Sequence, residues 1–114
     1  MNSALKLMAI NVLDVVPIEE LRQHIEFDSD DRDAVIKRYA QAALDYCLRW
    51  CDEPRWKVAG DVPSPVISAM LLVFGDLFEH RTSQTEVQLY TNAAAENLMF
   101  SCRNWRGSSE EEAS

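Results

Sequence analysis

The stretch that decides the fold runs from Asp30 to Cys51, DDRDAVIKRYAQAALDYCLRWC. Val35, Tyr39, Ala42, Tyr46 and Trp50 step by three and four, and Ile36, Ala40, Ala43 and Cys47 widen that stripe into a broad apolar face. The pattern predicts one central helix of about six turns. Asp28, Ser29, Asp30 and Asp31 precede it. Short polar side chains there can accept bonds from first-turn amides, and their charge suits the positive end of the helix dipole.

The same acidic cluster invites comparison with a calcium loop. Counting from Asp28, Arg32 and Asp33 fall where such a loop needs an oxygen ligand and a glycine, and Tyr39 falls where it needs the closing glutamate. The cluster reads as a helix cap and not as a metal site.

Upstream, Pro17 opens a short helix through Ile25, PIEELRQHI, with Ile18, Leu21 and Ile25 on its inner face and Glu19 and Glu20 near its positive end. His24 sits at the rim of that face with no carboxylate or cysteine at helix spacing, so it reads as a surface histidine. Residues 1–16 form an N-terminal arm, loosely ordered or packed as a short extended piece. Leu7, Ile10, Val12 and Val15 would be free to meet a neighbouring subunit. Asn11 and Asp14 interrupt its apolar run, which falls short of the ~20 apolar residues of a membrane span.

Downstream, DEPRWKVAGDVPS is punctuated by Pro54, Gly60 and Pro63 and reads as a loop with two or three extended residues around Trp56. Ser64-Pro65 then starts a third helix whose apolar face is wide: Val66, Ile67, Met70, Leu71, Phe74, Leu77 and Phe78, with Leu72 and Val73 making its middle apolar nearly all round. Such a helix packs between two others or beneath a second subunit. Gly75 in its interior marks a close approach by another element. Glu79, His80 and Arg81 close it. The polar run from Thr82 to Thr91 reads as a connecting loop with room for a short β element, and Thr91 or Asn92 caps a last helix with Ala94, Leu98 and Cys102 on one side and Ala95 and Met99 nearby. Residues 107–114, GSSEEEAS, have nothing to bury and read as a disordered acidic tail.

A chain of 114 residues with 47% apolar content supplies one small core, so residues 17–106 are expected to form a single helical domain of about four helices. Nineteen acidic against eleven basic residues, a formal charge of −8, argue against a phosphate-binding surface. Three cysteines without a secretory signal point to a reducing compartment. Cys47 and Cys51 lie four apart on one helix and read as small buried side chains, since structural zinc usually takes ligand pairs from tight turns. There is no glycine-rich phosphate loop, no nucleophile elbow, no HExxH and no CxxC. No catalytic residue, metal or cofactor is expected. The physical reading ends at an acidic, mainly α-helical domain that favours association over catalysis.

Certain residues carry a resemblance. Leu21 with His24-Ile25, the acidic turn Asp28 to Asp33, Tyr39-Ala40-Gln41-Ala42-Ala43 and Tyr46 resemble the opening of the tailed-bacteriophage head-tail connector family, the small adaptor or head-completion proteins of HK97 type. A proline-led helix with Pro65, Ala69 and Leu72 ending in Glu79-His80-Arg81 is similar to that family's second block, and Leu98 and Arg103 fall where it closes. Asp52-Glu53-Pro54 departs from the glycine-basic turn usual there. The resemblance implies a ring of twelve copies beneath the portal at the capsid vertex, extending the DNA channel and offering a docking surface to tail or stopper proteins. DNA would pass through without specific binding, no membrane would be involved, and the protein would reside in the virion after assembly in the bacterial cytoplasm. Arg55, Trp56, Arg81, Tyr90 and Trp105 are the candidate subunit or portal contacts. A small acidic regulator that binds a host protein is the alternative from another class.

Overall fold

The computed structural model describes residues 10–27, 29–79 and 92–104. Among them are five α-helices and no strand: α1 (Val12–Val15), α2 (Ile18–His24), α3 (Asp33–Cys51), α4 (Ser64–Glu79) and α5 (Ala93–Met99), with 3-10 turns at Ala59–Asp61 and Phe100–Cys102. The expected small, mainly helical bundle is what forms. The segment around Trp56 is a loop, as expected, with Val58 in extended conformation (φ −131°, ψ 166°) just before the first 3-10 turn. The candidate short strand in Thr82–Thr91 lies outside the described residues, as do the acidic tail and His80.

Helix α3 is the spine. Its buried residues are Ile36, Ala40, Ala43, Leu44, Cys47, Leu48 and Cys51, so the centre of the seam lies one position C-terminal to the stripe led by Val35. Val35, Tyr39, Ala42, Tyr46 and Trp50 are half-buried on its flank. There the aromatics meet the neighbouring elements. Tyr39 stands edge-on to Phe78 of α4 at 6.0 Å, and the Tyr46 hydroxyl donates to Glu96 Oε2 of α5 at 2.9 Å. Burial, then Glu96, push the Tyr46 phenol up to about 12.

The start of α3 differs from the capping expected of Asp28–Asp31. Arg32 occupies the cap position with no side-chain bond to the first turn. Ser29 instead donates to Asp31 Oδ1 at 2.6 Å, and Asp33, in the first turn, pairs with Arg22 of α2. The acidic run stabilises this end by crossing to another helix. Asp28 itself lies outside the described residues.

Helix α4 packs against both α3 and α5, which accounts for its nearly continuous apolar character; Val66, Ala69, Met70, Val73, Phe74, Leu77 and Phe78 are all buried. At Gly75 the approaching element is α2. A β-carbon there would sit 3.4 Å from His24 Nε2, and the His24 ring stacks on Phe74 at 6.1 Å. In α5, Asn92 caps by accepting from the Ala95 amide at 2.9 Å, and the inward positions are Ala95 and Met99. Ala94 is exposed and Leu98 is 41% exposed, so the side expected to lead the packing faces outward.

The arm is also corrected in part. Ile10, Val12 and Val16 are buried in the chain's own core, and residues 12–15 form a helical turn, not an extended piece. Asn11 Oδ1 caps it by accepting from the Leu13 amide, and Gln41 of α3 clamps it. Leu7 lies outside the described residues.

Candidate docking surfaces

The loop between α3 and α4 opens on Asp52, which takes a left-handed conformation (φ 52°, ψ 49°) and donates its amide to the Leu48 carbonyl at 2.9 Å. Glu53 then turns inward to 4% exposure. Arg55 neutralises it: Nε reaches Glu53 Oε2 at 2.8 Å, Nη2 reaches Oε1 at 2.9 Å, and the Arg55 amide also donates to Oε2. A buried carboxylate needs such pairing. Most of the Arg55 side chain nevertheless stays in solvent, at 63% exposure. Trp56 is half-buried against the core. Of the five candidate contact residues, these two are neighbours on one loop; Arg81, Tyr90 and Trp105 lie outside the described residues.

Beyond Trp56 the loop is made rigid by one side chain. Asp61 Oδ2 accepts from the Lys57 amide at 2.9 Å and the Val58 amide at 3.2 Å, while its own amide donates to the Val58 carbonyl at 2.9 Å. These amide bonds hold the Asp61 carboxyl below the usual carboxylate range. Val58 is left projecting at 60% exposure, a position the loop's polar punctuation did not single out.

At the other end of α4 lies a cleft of about 750 Å³ between that helix and the end of α2. Phe27, Leu72 and Phe78 supply apolar lining, and Glu26, Asp76 and Glu79 supply carboxylates. Glu26 holds a left-handed conformation (φ 57°) in the turn ending α2, where its amide bonds the Gln23 carbonyl at 3.1 Å and the Phe27 amide bonds the Arg22 carbonyl at 2.9 Å. Asp76 Oδ2 accepts from Asn92 Nδ2 at 2.6 Å.

A third region gathers the C-terminal segment onto the end of α3. Arg103 lies over the Trp50 ring at 4.3 Å, and the Asn104 amide donates to the Cys51 carbonyl at 2.8 Å. Leu98 and Phe100, the latter 59% exposed, face outward nearby in the chain. The three cysteines are free thiols. Burial pushes Cys47 far up and Cys51 up to about 12, with nearby Cys102 adding to the effect at Cys51, which makes these two poor nucleophiles. Among the described residues no group of three or more His, Cys, Asp or Glu side chains could hold a metal ion, and no helix is long and apolar enough to cross a membrane.

These surfaces are what the described residues present for contact. No family model matches the chain. It is, however, 65% identical over 105 residues to head completion protein gp6 of Enterobacteria phage HK97, covering 92% of this chain and 97% of that protein. The chain belongs to the gp6 family of head completion proteins. The crystal structure of bacteriophage HK97 gp6 matches this fold with a TM-score of 0.74 at 64% identity, over 84% of this chain and 100% of that one. The gp6-family resemblance carried by the acidic turn, the Tyr39–Ala43 block and the proline-led α4 thus extends along nearly the whole length. The exposed large apolar side chains among the described residues are Val58, Leu72, Leu98 and Phe100.

Proposed function

We propose that this chain is a structural head-tail connector that closes into a ring of about twelve copies on the portal, extends the DNA channel and presents the surface on which tail or stopper proteins dock. The observation that carries this reading is the near full-length identity to a head completion protein. The chain's own chemistry supports it. A formal charge of −8 would let a DNA backbone slide past instead of adhering, and the surfaces above offer apolar contact without a nucleophile poised for attack.

Under this proposal the protein resides at the virion head-tail junction after assembly in the host cytoplasm, and Arg55, Trp56, Arg81, Tyr90 and Trp105 contribute to contacts with neighbouring copies or the portal. Native mass spectrometry over a concentration series, with and without purified portal, tests it. A closed species near twelve copies, alone or on the portal, is expected. A monomer or dimer that ignores the portal at every concentration overturns it.

A further inference from the structure

Two features at opposite ends of α4 complement each other. At the N-terminal end, the Asp61-braced turn presents Val58, 60% exposed, with Lys57 beside it. At the C-terminal end, the cleft offers Phe27, Leu72 and Phe78, with Leu72 38% exposed, rimmed by Glu26, Asp76 and Glu79. Gly75 also lines this cleft and contributes no side chain to fill it. Knob and cleft cannot meet within one chain, because α4 rises about 1.5 Å per residue and therefore separates them by roughly 12 to 22 Å.

We propose that the Lys57-Val58 knob of one copy seats in the α2–α4 cleft of the next, with Val58 against Leu72 and Phe27 and Lys57 facing the Glu26, Asp76 and Glu79 carboxylates. Three arguments select a second copy as the occupant. The charges are complementary, since the knob offers Lys57 to three rim carboxylates while its own Asp61 carboxylate is turned back onto the Lys57 and Val58 amides. The knob is preorganised, since the Asp61 bonds order the turn before any partner arrives. Two different patches of one chain that fit each other make a head-to-tail contact, and such contacts generate rings when their rotation closes. The inference rests on the ring reading and names the surfaces that would close it.

The test uses the full chain, under whichever condition the unaltered protein assembles, with portal or without. Native mass spectrometry compares it with Val58→Ser, Lys57→Glu, Glu79→Lys and the double exchange Lys57→Glu with Glu79→Lys. Each single variant is expected to keep its helical circular dichroism and lower the assembled fraction about tenfold, and the double exchange is expected to restore much of it. Single variants that assemble like the unaltered chain overturn the proposal and leave the ring standing. Variants that form rings alone but no longer bind the portal also overturn it, assigning the knob to the portal. An unaltered chain that never assembles removes the ring and this contact together.

Discussion

Arg22 grips Asp33 with both arms of its guanidinium, Nε to Oδ1 at 2.8 Å and Nη2 to Oδ2 at 2.6 Å. The pair ties α2 to the first turn of α3 across the acidic turn between them. The hydrogen bond from Arg22 holds the Asp33 carboxyl below the usual range. A carboxyl held down in the folded state adds stability above its unfolded pKa and loses it as pH falls through the folded one. Asp33→Asn is therefore expected to unfold at lower urea than the unaltered chain near pH 7. The gap should close as pH drops from about 5 to about 2. Urea titrations at several pH values check this, and a gap independent of pH would refute it.

Gly75 lies mid-helix with the His24 ring above it. A β-carbon would meet His24 Nε2 at 3.4 Å, ordinary contact distance, so Gly75→Ala should gain helix propensity without a clash. The expected outcome is stabilisation of about 0.5–1 kcal/mol, measured as a shift in the thermal midpoint. Gly75→Leu should do the opposite by displacing the His24 ring from Phe74.

Gln41 is the fastening of the N-terminal turn. Its Oε1 accepts from the Val12 amide at 2.9 Å, and its Nε2 donates to the Ile10 carbonyl at 2.9 Å and to Asp45 Oδ1 at 3.1 Å. Gln41→Ala should cost about 1–3 kcal/mol by stranding these partners. Hydrogen exchange should show Val12 to Val16 losing protection while the middle of α3 keeps it.

Asp52 and Glu26 both hold positive φ, at 52° and 57°. Side chains with a β-carbon find that region costly, whereas glycine does not. Asp52→Gly is expected to stabilise the protein by about 0.5–1 kcal/mol, with Asp52→Ala giving no such gain. Equal midpoints for the glycine and alanine variants would show that backbone strain is not the cause.

Four of the five helices were legible in the sequence because their signals are local; the turn at Val12–Val15 was not, since its segment reads as a loosely ordered or extended arm. Periodicity located α3 and α4, Asn92 was offered as one of two caps for α5, and Gly75 marked a close approach. What periodicity left undecided is which of two adjacent stripes is central. Val35-Tyr39-Ala42-Tyr46-Trp50 and Ile36-Ala40-Ala43-Cys47 share the same spacing, and only the positions of α4 and α5 decide that Leu44 and Leu48 join the second as core. The same ambiguity displaced α5 by one residue, from Ala94 and Leu98 to Ala95 and Met99. Long-range ties were not legible at all, since nothing local links Gln41 to Ile10 or Arg22 to Asp33. Of the candidate contacts, Arg55 and Trp56 were visible as a basic-aromatic pair in a loop. Val58 was missed because a single valine in a loop carries no pattern; its prominence arises from the Asp61 carboxylate folding the turn beneath it.

The bond from the Asn104 amide to the Cys51 carbonyl at 2.8 Å holds Asn104 at the C-terminal end of α3. The loop carrying Val58 starts from that same end, so a density label joined to the chain at this position would mark one pole of the molecule. In the ring proposed above, an electron-microscopy reconstruction of the labelled protein would reveal the polarity of every protomer.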